Sequence, residues 1–195
     1  MLFRSKEFPC CGLIHGPLTS LLTLIHKHGF TADDVLEVEA SAPFDSMVLM
    51  YPKPASGFQG KFSLVYSLTT ALLDGRLDLD SFTNDKLARP EYAVTSRKIR
   101  INVTSKWGGA SEMGERRVKI DDRLPVIVRL KDGRTLSEST ARVSGLDTDE
   151  AVFGKFRRNA SRVLPPKGVD AALVAWRSFD TVDDVRKAIV TVTTK

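Results

Sequence analysis

Val126-Ile127-Val128-Arg129-Leu130-Lys131-Asp132-Gly133-Arg134-Thr135-Leu136 is the stretch that decides the fold class. Val126, Val128 and Leu130 alternate with Ile127 and Arg129, the period-two pattern of a strand with a buried face. Asp132-Gly133 follows, a pair that favours the two-residue turn of a β-hairpin. The return strand then runs from about Thr135 to Arg142. Working outward, Ile99, Ile101 and Val103 alternate with polar neighbours and predict another strand. Leu36, Val38 and Ala40 alternate with Glu37, Glu39 and Ser41 and predict one more.

Helical periodicity fills the spaces between these strands. Gly16-Pro17 opens a helix whose Leu18, Leu21, Leu22 and Ile25 share a face, with Gly29 as a left-handed cap. Thr31 to Asp34 reads as a short turn. Residues 43–60 look irregular. A second helix is expected from about Gly60 to Asp74, closed by Gly75, with Leu64, Val65, Leu68, Ala71 and Leu72 on its apolar stripe. Residues 79–98 predict one or two short helices, the second started by Pro90. Residues 105–117 read as a polar, glycine-rich loop. Helices are expected over 149–164, 168–179 and 181–191, with Asp180 to Asp183 supplying an N-cap.

This order predicts an α+β fold. It is a two-layer sandwich with a mixed or antiparallel sheet of three to four strands, helices on one face, and additional C-terminal helices. No internal boundary is visible, so residues 1–195 read as one domain whose C-terminal helices form a separate packing unit. There is no repeat, no strand-linked GxGxxG and no P-loop.

Composition narrows the function classes. The chain has 195 residues, 42% hydrophobic and 27% charged, which suits a globular domain with a real core. No apolar run reaches the roughly 18–20 residues of a membrane span, so no membrane partner is expected. The net charge of +5 is dispersed rather than gathered on a stripe with interleaved aromatics. Nucleic acid is therefore not an expected partner, and a small anionic substrate suits the charge better. The two cysteines, Cys10 and Cys11, are adjacent and have no other partner. With no signal-peptide pattern, they point to an intracellular, cytoplasmic setting, with a mitochondrial one still open.

Two segments are chemically dense. Lys6-Glu7-Phe8-Pro9-Cys10-Cys11-Gly12-Leu13-Ile14-His15 places a cation, two thiols and an imidazole just ahead of a helix N-terminus, a position that favours anions and thiolates. Buried, inert cysteines with a capping histidine are the other reading of the same residues. Lys61-Phe62-Ser63-Leu64-Val65-Tyr66 follows a glycine-bounded loop. Lys61 and Tyr66 either reach a cleft at the helix start, or Tyr66 packs in the core with its hydroxyl tied off and Lys61 is solvated. Cys10, Cys11 and His15 lack zinc-site spacing, and His26 and His28 point apart on a helix, so no metal site is expected.

Taken together, these segments resemble signatures of the MmgE/PrpD family, whose members include 2-methylcitrate dehydratase, cis-aconitate decarboxylase and iminodisuccinate epimerase. Ala71-Leu72-Leu73-Asp74-Gly75 continues the second motif. Val128 to Arg134 and Gly154-Lys155-Phe156-Arg157 extend the resemblance over nearly the whole chain. It covers only the family's C-terminal cap domain; the large helical N-terminal domain has no counterpart in these residues.

The resemblance implies a lyase, a hydro-lyase or carboxy-lyase, that abstracts a proton beside a carboxylate of a di- or tricarboxylate. On that basis Lys6, Cys11 and Lys61 are the substrate-binding candidates, and His15 and Tyr66 the catalytic ones. Cys11 stands where the decarboxylase branch has a histidine. The principal base is expected from a helical N-terminal-type domain or chain, which is the implied partner together with a second copy in a dimer. No metal and no organic cofactor is implied. The second reading is a non-catalytic remnant or interaction domain that keeps the fold.

Overall fold

The computed structural model describes residues 5–42, 51–103, 123–141, 145–146 and 148–193. In chain order the elements are β1 (Ser5–Lys6), α1 (His15–His28), β2 (Val35–Ala42), α2 (Gly57–Gly60), α3 (Leu64–Asp74), α4 (Asn84–Ala88), α5 (Pro90–Thr95), β3 (Ile99–Val103), β4 (Arg123–Leu130), β5 (Thr135–Ala141), β6 (Gly145–Leu146), α6 (Asp149–Ala160), α7 (Pro166–Arg177) and α8 (Val185–Val190). The chain divides into two compact units. Phe8–Ser144 form the larger; Met1–Glu7 and Gly145–Lys195 form the smaller.

The larger unit is built on a four-stranded mixed sheet in the order β3-β2-β4-β5. β2 runs parallel to β3, with Val38 opposite Ile99, and antiparallel to β4, with Val38 opposite Val128 and Ala40 opposite Val126. The α+β expectation is met. Val38, Ala40, Val126, Val128 and Leu130 are buried with Leu18, Leu21, Leu64 and Leu68, so α1 and α3 share one core with this face of the sheet. Truncating one of these leucines to alanine costs about 2–5 kcal/mol in such a setting. The opposite face carries charge. Glu37 pairs with Arg100 and with Arg129 (2.6 Å), and Arg129 reaches Glu39 at 3.3 Å. Half-exposed pairs of this kind contribute about 0–1 kcal/mol each, so they mark the polar face rather than hold it.

Several local expectations are corrected. Leu36 is 58% exposed and Val35 is buried instead, because the β2–β4 register shifts between Val35 and Glu37. A bulge inserts one extra residue and reverses the phase of the alternation. The hairpin loop has three residues, not two. Leu130 N–H donates to Arg134 O at 2.9 Å and Gly133 N–H to Leu130 O at 3.2 Å. Only Gly133 has positive φ, at 88°, whereas the two-residue type I′ turn needs it at Asp132 as well.

The helix expected from Gly60 is two elements, the single turn α2 and then α3, which starts where Ser63 Oγ accepts from Tyr66 N–H at 3.2 Å. The helix expected at residue 168 begins at Pro166, a residue favoured in the first turn. The cap of α8 is Asp184, whose carboxylate accepts from Arg186 N–H at 3.0 Å, so the Asp180 to Asp183 expectation is displaced along the chain. Gly29 and Gly75 cap α1 and α3 at φ 67° and 65°, as their positions predict. The loop at 105–117, residues 43–50 of the irregular stretch, and Arg142 lie outside the described residues.

In the smaller unit, β1 pairs antiparallel with β6, Lys6 opposite Gly145. Val169, Ala172, Leu173 and Ala188 are buried. Arg157 of α6 meets Asp170 of α7 at an exposed position, and the Arg177 guanidinium lies 4.5 Å over the Phe153 ring, so α6 and α7 touch at two points outside these buried residues.

Candidate functional site

The two dense motifs meet in the larger unit through a backbone hydrogen bond. Cys11 N–H donates to Lys61 O at 2.9 Å. Cys11 is extended (φ −58°, ψ 131°), its carbonyl accepts from Ile14 N–H at 3.0 Å, and a 3₁₀ turn, Gly12–Ile14, leads into α1. On the other side, Lys61 is not on a helix face. It sits in the turn between α2 and α3, where Lys61 N–H donates to Phe58 O and Ser63 N–H to Gly60 O, both at 3.1 Å. Its side chain is half-buried, with Nζ 5.9 Å from the centroid of the Phe82 ring.

Beneath that joint the packing is tight. Tyr66 is fully buried, its hydroxyl donates to Ser81 O at 2.6 Å, and its ring lies 5.9 Å from Phe82 and 5.4 Å from Tyr92. Burial pushes its phenol above the ordinary value; nearby Asp74 adds to the rise, and Thr70 and Arg89 oppose it. Two glycines make this possible. A Cβ on Gly60 would stand 2.7 Å from Tyr66 Cδ1, and one on Gly57 would stand 2.1 Å from Phe82 O. The Gly57-Phe58-Gln59-Gly60 turn is thus pressed onto the Tyr66 ring and the backbone at Phe82, which fixes where Lys61 O points.

The sequence candidates are distributed as follows. Cys11 is half-buried beside Lys61, while Cys10 is buried. His15 is the first residue of α1 but is only 2% exposed, with its ring edge-on to Phe8 at 5.3 Å and 80°. Tyr66 takes the core placement, not the cleft-facing one, because its ring fills the space under Gly60 and its hydroxyl is committed to Ser81. Lys6 is exposed on β1 in the smaller unit, so it is described with that unit. Among the described residues there is no group of three metal-ligating side chains, and no helix is long and apolar enough to cross a membrane.

Three features escaped the sequence reading. The first is the packing role of Gly57 and Gly60, which a Gly-x-x-Gly spacing before a cap serine could have signalled. The second is a half-buried ionic cluster in which Asp74 accepts from Arg89 (2.5 Å) and Lys86 (3.0 Å). The third is the exposed Phe58, edge-on to Phe62 at 5.7 Å.

The model of the MmgE/PrpD C-terminal domain matches residues 8–181. The chain belongs to the MmgE/PrpD family. Lys6 lies just ahead of the matched segment, whereas Cys11, His15, Lys61 and Tyr66 lie within it. This MmgE/PrpD domain is similar to the cis-aconitate decarboxylase of Aspergillus terreus, 25% identical over 199 residues that cover 93% of this chain and 39% of that protein. It is also similar to the cis-aconitate decarboxylase of Mus musculus, 24% identical over 161 residues covering 80% of this chain and 31% of that protein. The chain therefore spans under two fifths of the length of these relatives.

Proposed function

We propose that this domain is the carboxylate-binding part of a lyase that acts on small di- or tricarboxylates. The observation that carries the reading is the Cys11 N–H to Lys61 O bond, which joins the two motifs shared with the family into one surface. The names of the relatives support the substrate class, since cis-aconitate is a tricarboxylate. Abstraction of a proton beside a carboxylate sends negative charge into that carboxylate, and a preorganised cation is the group that stabilises it. Lys61 does this work, with Cys11 beside it as a contact that shapes the substrate's seat. Lys6, exposed on the smaller unit, is the carboxylate-binding candidate of that unit.

The two acid–base candidates take a different part. His15 and Tyr66 lie in the core, so they support the surface from beneath and do not touch the reacting carbon. The base comes from the helical domain that completes such an enzyme, and the active form is that assembly in a dimer. Decarboxylation, dehydration and epimerisation share the proton-abstraction step, so the same binding surface serves each.

Proton NMR in D₂O tests the reading. The chain, alone and mixed with the helical domain of a relative, is given cis-aconitate, 2-methylcitrate and citrate. Turnover or deuterium incorporation that disappears in Lys61→Ala is the expected result. Absence of turnover, of exchange and of any line broadening of the carboxylates with the helical domain present would refute it and leave a non-catalytic interaction domain.

A further inference from the structure

The smaller unit holds a contact that the motif reading did not use. The ammonium of Lys155, on α6, donates to the backbone carbonyl of Lys6 at 2.6 Å. β1 is only two residues long, and Lys6 is its last, opposite Gly145 of β6. A ribbon that short has little intrinsic stability and needs an external anchor. Lys155 is well built for that task. Its stem is half-buried in a groove beside Val152, Phe156 and Val192. The helix that carries it packs against α7, where Arg157 meets Asp170 and the Arg177 guanidinium lies 4.5 Å over the Phe153 ring.

We propose that Lys155 is a positioning residue for Lys6: by holding the Lys6 carbonyl it fixes the backbone of β1 and thus the direction in which the Lys6 ammonium meets a substrate carboxylate. The proposal rests on the reading of Lys6 as a carboxylate-binding group. The carbonyl is a neutral acceptor, so the bond leaves both lysines charged and adds a second positive group to the neighbourhood of Lys6. Burial, and then the nearby Arg158, lower the pKa of Lys155, so its ammonium sits at some cost that the short bond to Lys6 O offsets. A lysine placed only for solubility would extend into water instead.

The test uses the full chain and citrate as the probe, with parent, Lys6→Ala, Lys155→Met, Lys155→Arg and the Lys6→Ala/Lys155→Met double variant. Two quantities are read by NMR: the chemical shift of the Glu7 amide, which shares a peptide unit with the Lys6 carbonyl, and the citrate dissociation constant. Lys155→Met is expected to move the Glu7 amide and to weaken citrate about fivefold, as a lost charge-assisted hydrogen bond at a partly exposed site would. Lys155→Arg restores most of that affinity. The double variant binds no more weakly than Lys6→Ala alone, since a positioning residue has nothing left to position. Full affinity and an unmoved Glu7 amide in Lys155→Met, with Lys6→Ala weakened, overturn the positioning role alone. A Lys6→Ala variant that binds citrate as tightly as the parent, or a parent that binds none, overturns the reading of Lys6 and this proposal with it.

Discussion

Replacing Gly60 by alanine probes the packing beneath the Cys11–Lys61 joint with a single methyl group. In an ordinary helical turn, Gly→Ala stabilises by about 0.5–1 kcal/mol. Here the new Cβ would lie 2.7 Å from Tyr66 Cδ1 and 2.8 Å from Cε1, where ordinary contact begins at 3.4 Å. The ring must give about 3.4 − 2.7 = 0.7 Å. It has little room, because Phe82 and Tyr92 flank it at 5.9 and 5.4 Å and its hydroxyl is held at 2.6 Å from Ser81 O. Overpacking of this kind costs about 1–3 kcal/mol. Stretching a buried hydroxyl off its acceptor adds about 1–3 kcal/mol. The expected sum, after the helical gain, is about 1–5 kcal/mol, or a Tm lower by roughly 2–20 °C for a chain of this size. Urea unfolding followed by circular dichroism measures it, in the parent and in a Tyr66→Leu background. With the ring gone, Gly60→Ala should cost less than about 1 kcal/mol, so the two substitutions couple. Strict additivity, or a neutral Gly60→Ala in the parent, would refute the reasoning.

Asp74 gives a pH prediction. Burial works to raise its pKa, but the hydrogen bonds from Arg89 and Lys86 outweigh it and hold the carboxyl below its ordinary value. A lowered folded pKa contributes stability above the unfolded value of about 3.9, and that stability is lost as pH falls through the folded value. Asp74→Asn should therefore cost about 1–3 kcal/mol near pH 7 and flatten the acid limb below about pH 4; an acid limb as steep as the parent's would count against the pairing. At the other extreme, burial pushes Tyr92 up to about 12, with Tyr66 adding to the shift, and burial also raises Tyr66. Raised phenol pKa values favour the folded state only while the phenols stay protonated, so stability should fall as pH rises from about 10 toward 12. Absorbance at 295 nm tracks this, and a Tyr92 that ionises near pH 10 in folded protein would contradict its burial. Ser63→Ala removes the cap that starts α3 and should cost about 1 kcal/mol in the same urea assay; an unchanged midpoint would show that the Oγ bond to Tyr66 N–H is dispensable.

Much of the fold is legible because it is local. The left-handed caps Gly29 and Gly75, the alternation of Val126, Val128 and Leu130, and Pro90 at the start of α5 are each decided within a few residues. What the sequence hid is non-local. The bulge at Val35 depends on how β4 lies beside β2, so alternation alone assigned Leu36 to the wrong face. Type I′ geometry was excluded by one backbone angle at Asp132 that no residue identity reveals. For the site, residue types singled out the Cys11 and Lys61 segments, and the link between them runs through backbone atoms, on which a motif is silent. Periodicity placed Tyr66 at the helix start but gave no direction to its ring; that was settled by Gly60, whose missing side chain opens the space the ring occupies.

The smaller unit draws on two separated segments, whereas the larger one is contiguous, and this orders their pairing during synthesis. The segment Phe8–Ser144 can fold as soon as it emerges, because all its strand pairings lie within it. The segment before Phe8 must wait for β6 and α6 before β1 has anything to pair with. Lys6 is therefore placed only once β6 and α6 are present, and a chain that stops short of α6 would own the joined motif surface while Lys6 remained unplaced.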